Sequence, residues 1–236
     1  MLPSKYLHLD SIRSLQNEIS PVLLGTELLR RQRLDSGSPI IADITEEIRN
    51  AFQQLVTGLR SADLREAICE GCVTFGLIKP RLTNWGKETL RGLKEDEAVG
   101  IIMNDVKESL NIVCAHNMIW DKAIFRRFRE ANREKLTAHS STLGYNNAWE
   151  EEVALMTANA VTPMLLQGDA AMQKWRDMIG HANPTKACTQ TIRGKYAFSS
   201  SNNLVHGASA VDYDCPVRTL LHEIGCWADN VDAMIR

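Results

Sequence analysis

Residues 72–80 read CVTFGLIKP. Val73, Phe75 and Leu77 alternate with Thr74, Gly76 and Ile78, so both sides of the segment are apolar or small. That is the pattern of a strand buried on both faces. Pro80, which has no amide to give a ladder, ends it directly after Lys79.

Downstream of this strand lie a polar loop around Asn84, Trp85 and Gly86, a helix running into 99–106, and a strand near 110–115. A strongly charged helix is expected from Trp120 to about Leu136, with the two signs interleaved at the spacing of a solvated helix face. Residues 147–157 repeat a helical pattern carrying Trp149, Val153 and Met156, and 161–166 form a short apolar strand. Gly168 and Asp169 open a further helix with Met172, Trp175 and Met178, which stops at Gly180. A polar loop over 181–190 precedes Ile192, Arg193 and Gly194, and the segment 203–207 leads to a final helix marked by Asp214 and Pro216.

Upstream, residues 1–70 carry helix signals interrupted by Pro21 and by the turn-rich 35–39. The best of them starts at Asp43, whose D-x-x-E spacing to Glu46 makes a capping box, with Ile44, Ile48, Ala51, Phe52, Leu55 and Leu59 on one face. The chain therefore divides into a helical N-terminal extension, 1–70, and a domain over 71–236. Strands separated by helices point to an α+β sandwich, with helices covering one face of a mostly antiparallel sheet.

Composition narrows the function classes. The 236 residues are 44% apolar and 24% charged, which is globular and not disordered, collagenous or coiled-coil. Lys plus Arg number 27 against 29 Asp plus Glu, a net charge of −2, so neither nucleic acid nor an anionic membrane is an expected partner. No apolar run approaches the roughly 20 residues of a membrane span. The start of the chain shows no secretory pattern, so the six cysteines are read as reduced and the location as cytoplasmic. Cys69 and Cys72 form a C-x-x-C without the second pair zinc would want, and the histidines stand at no metal-ligand spacing, so no metal site of the protein is expected.

Chemistry-bearing residues concentrate where the chain is least regular. Lys174, Arg176, Lys186, Arg193 and Lys195 surround a glycine-bearing loop, and Asn203 and His206 follow closely. Guanidiniums for phosphate, an amide for a hydroxyl and a nucleophilic imidazole suit phosphoryl transfer. A solvated basic loop beside a buried histidine fits the same residues.

The run 203–209, NLVHGAS, resembles the active-site signature of nucleoside diphosphate kinases, Asn-x-x-His-Gly. Asn183-Pro184 and then Thr191-Ile192-Arg193-Gly194 are similar to that family's preceding stretch, Trp175-Arg176 to its Tyr-Arg helix end, and 74–80 to its first strand, which closes in Lys-Pro. The similarity covers roughly 72–212. It implies a ferredoxin-like βαββαβ core and a ping-pong reaction between nucleoside tri- and diphosphates, with a phosphohistidine on His206. It further implies Lys79 on the transferring phosphate and sugar hydroxyl, Arg176 and Arg193 on the phosphates, Asn203 on the ribose, and Gly207 in the nucleotide site. Mg²⁺ arrives with the nucleotide, and a homo-oligomer is implied as well.

Departures accompany the matches. Ala208, Ser209 and Ala210 follow the His-Gly pair, Ser140 stands where a tyrosine is expected after His139, and Ala182 replaces a threonine. Ala148 and Ser200 replace the base clamp, which leaves Trp149 as the candidate base contact. Val217 stands where a glutamate orients the histidine, a role open to Glu223 or Asp212, and 81–97 and 120–133 read as insertions. These changes leave two alternatives: a nucleotide-binding regulatory or scaffold module with a degenerate site, and a phosphotransferase for an altered nucleotide.

Overall fold

A computed structural model describes residues 46–80, 82–130, 148–200, 202–208 and 216–235. In chain order the elements are α1 (Glu46–Leu59), α2 (Ala62–Cys69), β1 (Val73–Ile78), α3 (Leu82–Trp85), α4 (Glu95–Lys107), β2 (Asn111–Ala115) and α5 (Lys122–Arg129). There follow α6 (Ala148–Ala158), β3 (Thr162–Gln167), α7 (Ala171–Ile179), a 3₁₀ turn (Pro184–Lys186), α8 (Ile192–Tyr196), β4 (Val205–Gly207) and α9 (Pro216–Ile235).

The strands form one antiparallel sheet in the order β2-β3-β1-β4. All six residues of β1 are buried, as its uninterrupted apolar pattern requires. Gln167 lies opposite Val73 and Thr162 opposite Ile78 on one edge. On the other edge Val205, His206 and Gly207 lie opposite Ile78, Leu77 and Gly76.

Helices cover both faces of this sheet, not the single face expected from the element pattern. Val73, Phe75, Leu77 and Leu165 join residues of α1, α2, α5, α6 and α9 in one core cluster. Ile78, Met164 and Leu166 join α4, α7 and α8 in the other. The physical reason lies in β1 itself, since a strand apolar on both flanks needs a cover on each.

Local chemistry starts the helices. Ser61 accepts from the Leu64 amide at 3.2 Å at the head of α2, and Asp121 accepts from the amides of Ala123 and Ile124 at 2.8 and 3.0 Å at the head of α5. In α4 the Glu97 carboxylate takes the Lys94 amide at 2.9 Å, and the first turn carries three acids that complement the helix dipole.

The Asp43 cap and Ile44 lie outside the described residues, but three residues of the expected face are in place. Phe52, Leu55 and Leu59 are buried against Leu220, Ile224 and Trp227 of α9. His116 sits between the rings of Phe52 and Trp227, with centroids 6.3 and 6.1 Å away, and burial pushes its pKa down to about 4. Arg60 reaches from the end of α1 to Asp229 at 2.7 Å. Cys69 and Cys72 flank the α2–β1 turn, and Cys72 Sγ lies 3.8 Å from the Glu70 carbonyl.

Removing the Phe52 ring empties a fully enclosed position between α1, β2 and α9. Phe52→Ala is expected to lower the unfolding free energy by about 3–5 kcal/mol. Urea titration followed by circular dichroism measures it, and a loss below about 1 kcal/mol would show that α1 is not part of the core.

Candidate active site

His206 is delivered by β4, its backbone fixed opposite Leu77. Two glycines in register, Gly76 and Gly207, let the Trp175 indole of α7 lie against the sheet. A Cβ on Gly207 would stand 2.6 Å from Trp175 Nε1, and one on Gly76 would stand 3.1 Å from Trp175 Cε2. The indole N–H donates to the His206 carbonyl at 3.3 Å. Gly207 thus has a packing reason to lack a side chain.

The turn into β4 is strained. Leu204 has φ 63°, and the Val205 amide donates across it to the Asn203 carbonyl at 2.8 Å, the geometry of a γ-turn. For a buried leucine this costs about 1–3 kcal/mol, which neighbouring contacts must offset. Two of those contacts belong to candidate residues. The Lys79 amide donates to the Leu204 carbonyl at 2.8 Å, and Arg193 Nη2 donates to the Val205 carbonyl at 2.9 Å.

The imidazole is held on two sides. Nε2 lies 2.8 Å from Oε1 of Glu223, a carboxylate on α9 that is almost wholly buried and whose second oxygen has no hydrogen-bond partner. The Phe128 ring of α5 meets the imidazole edge-on, with centroids 5.6 Å apart. A carboxylate at Nε2 keeps the proton there and leaves the Nδ1 lone pair for chemistry.

Cations gather beside the ring. Lys79 Nζ is 4.0 Å from Oε1 of Glu152, and Arg129 Nη2 is 3.1 Å from the same oxygen. Burial lowers the Lys79 pKa to about 8; Glu152 opposes that fall, and Arg129 and Arg193 add to it. Burial raises the Glu152 pKa, but the fields of Arg129, Lys79 and His206 outweigh it and hold the carboxyl below its ordinary value.

Arg193, at the first turn of α8, donates through Nη1 to the Gly180 carbonyl at 2.7 Å as well as to Val205, and burial lowers its pKa to about 10. Its loop is tightly closed. Thr191 caps the Gly194 amide, Lys87 Nζ donates to the Gly194 carbonyl, and a Cβ on Gly194 would overlap the Cys188 carbonyl.

The remaining sequence candidates differ in how firmly they are placed. Asn203 Nδ2 donates to the Ala182 carbonyl at 3.2 Å, while its buried Oδ1 has no partner. Arg176 lies half-buried in the last turn of α7. Trp149 belongs to the core cluster of Phe125 and Phe128, with 9% of its surface exposed. Ser140, Ser209, Ala210 and Asp212 lie outside the described residues.

Sequence reading missed the contribution of α5. Its charged run looks solvated, and 120–133 reads as an insertion, yet Phe125 and Phe128 are buried and Arg129 enters the site. The spacing of Phe125, Phe128 and Arg129 at i, i+3 and i+4 carried that signal. Of the two acids suggested for orienting His206, Glu223 takes the position, one that spacing had put at Val217.

A sequence profile described as nucleoside diphosphate kinase matches residues 93–215, more than half of the chain. The chain belongs to that family. A nucleoside diphosphate kinase of Saccharolobus islandicus is 29% identical over 139 residues, covering 59% of this chain and 86% of that protein. One from Methylobacterium sp. strain 4-46 is 28% identical over 139 residues, covering 59% and 84%. A solved nucleoside diphosphate kinase family protein of Babesia bovis superposes with a TM-score of 0.50 at 17% identity, over 66% of this chain and 86% of that one, a likeness of fold. Family and relatives support a nucleotide phosphotransferase. Among the described residues no group of three or more His, Cys, Asp or Glu is placed to hold a metal ion, and no helix is long and apolar enough to cross a membrane.

The lowered Lys79 pKa sets a pH limit on anion binding. With Lys79 facing Glu152, Arg129 and Arg193, its charge is present below about 8 and lost above. Affinity for a polyphosphate should therefore fall as pH rises through about 8, where an unperturbed lysine would hold to about 10.4. Lys79→Arg should remove that limb in calorimetric titrations with inorganic tripolyphosphate; a limb that persists would refute the assignment to Lys79.

Proposed function

We propose that the protein moves the γ-phosphate of a nucleoside triphosphate to a nucleoside diphosphate through a phosphohistidine on His206. The observation that carries this reading is the 2.8 Å contact of Nε2 with Glu223, which leaves Nδ1 as the nucleophile. Nδ1 attacks the γ-phosphorus in line, the bond to the β–γ bridging oxygen breaks, and the nucleoside diphosphate leaves with that oxygen. An acceptor diphosphate then attacks the phosphohistidine and restores the imidazole.

The chain's own groups do the rest. The Glu223 carboxylate balances positive charge that develops on the ring, as a buried acid does for a catalytic histidine elsewhere. Lys79 neutralises the transferring phosphate, and Arg176 supplies a guanidinium from the last turn of α7. Arg193 offers the N–H donors that remain beyond the two committed to carbonyls. The partnerless Oδ1 of Asn203 suits a sugar hydroxyl. Mg²⁺ enters as part of the substrate, on phosphates that these cations suit, and supplies charge neutralisation there. The family resemblance extends the reading to a homo-oligomer.

The regulatory-module alternative drew on Val217 standing where a glutamate was expected. Glu223 supplies the carboxylate from six residues further along α9, and this favours the enzyme.

The test is incubation with Mg²⁺ and γ-labelled ATP, wild type beside His206→Ala. Alkali-stable, acid-labile label on the wild type alone, discharged by added diphosphates, is the expected result. Label on both chains or on neither would overturn the mechanism.

A further inference from the structure

The cations beside His206 are already facing an anion. Glu152 comes from α6, its side chain is 16% exposed, and its Oε1 lies 3.1 Å from Arg129 Nη2 and 4.0 Å from Lys79 Nζ. Both cations are as enclosed as the carboxylate, at 14% each. The fit is loose. One guanidinium nitrogen reaches both oxygens, at 3.1 and 3.4 Å, and Lys79 stands at ion-pair range, beyond hydrogen-bond length. A carboxylate's two oxygens do not serve this pair well, whereas a phosphoryl group has three oxygens to share between them.

We infer that Glu152 is an internal competitor of the phosphate, a side-chain anion that occupies Lys79 and Arg129 until a polyphosphate displaces it. This rests on the phosphotransferase reading and adds to it a control on which anions enter. A weakly charged ligand gains little by exchanging one carboxylate for itself, and a polyphosphate gains charge-assisted bonds to both cations. Glu223 is set apart by its role, since its bond is to His206.

Two measurements on the full chain test this, both with inorganic tripolyphosphate and without Mg²⁺. The first is calorimetric titration near pH 6, where Lys79 keeps its charge. Glu152→Gln removes the competing charge in nearly the same volume and should tighten binding at least about tenfold, while Glu152→Asp, which retains the charge, should stay near the wild type. The second needs no folded variant. The Glu152 carboxyl resonance, followed by carbon NMR in the wild type, should titrate at higher pH once tripolyphosphate has taken its cations.

Unchanged or weaker binding by Glu152→Gln, or an unmoved carboxyl titration in wild type that does bind, removes the competitor and leaves the phosphotransferase reading standing. Weaker binding would mean that Glu152 organises the cations instead. If neither chain binds tripolyphosphate, the phosphate site itself is refuted and this inference falls with it. Binding by Glu152→Gln alone would be the strongest form of support.

Discussion

Antiparallel pairing of β1 with β4 over three residues is the constraint on which the site depends. It sets His206 opposite Leu77, and the turn before it returns a carbonyl to the Lys79 amide. Imidazole and lysine are thereby fixed to one hydrogen-bonded frame, although 127 positions in sequence separate them. The frame is rigid because β1 is buried on both faces and paired on both edges. Trp175 reinforces it from one side, across two glycines, and the α5 and α9 side chains close it from the other.

Charge is distributed so that the site suits a strong anion. Lys79 and Arg129 face the Glu152 carboxylate, with Arg193 near enough to lower the lysine's pKa, while Glu223 is bonded to His206. Among the described residues the three cations face one carboxylate in a poorly solvated region. Burial lowers the lysine's pKa, and Glu152 opposes that fall. A carboxylate that keeps a cation charged and also stands in front of it has two opposed consequences for ligand entry. In sequence Glu152 is only one of three consecutive glutamates, 150–152, at the start of a helix.

Legibility followed the range of the interactions. The strand at 72–80, the helix stops and the run 203–207 were readable because alternation, proline, glycine and a short motif are local signals. The family resemblance then drew Lys79, Arg193, Asn203 and His206 into one site, and the structure brings their elements together. What could not be read is set by contacts between remote segments. Whether helices cover one face or two depends on packing, although the apolar flanks of β1 held the answer. Spacing pointed to Val217 and the fold uses Glu223, because a helix running past a fixed imidazole can present a residue a turn or two further on. Arg129 and Glu152 were hidden by their neighbours, since charged residues of both signs on a helix usually face water.

The packing of α9 on α1 also bears on His206. The carboxylate that orients His206 rides on a helix whose cover is the segment before the sheet, and the Arg60 to Asp229 contact closes a separation of 169 residues. Pairing of β1 with β4 already closes most of that separation, because Gly76 stands opposite Gly207, so α1 and α9 need only a short further closure to dock. A chain with its four strands paired and α9 undocked would lack the Glu223 contact, so the His206 ring is held on that side only when α9 packs against α1. The His206–Glu223 contact thus reports the docking of α9, not the formation of the sheet.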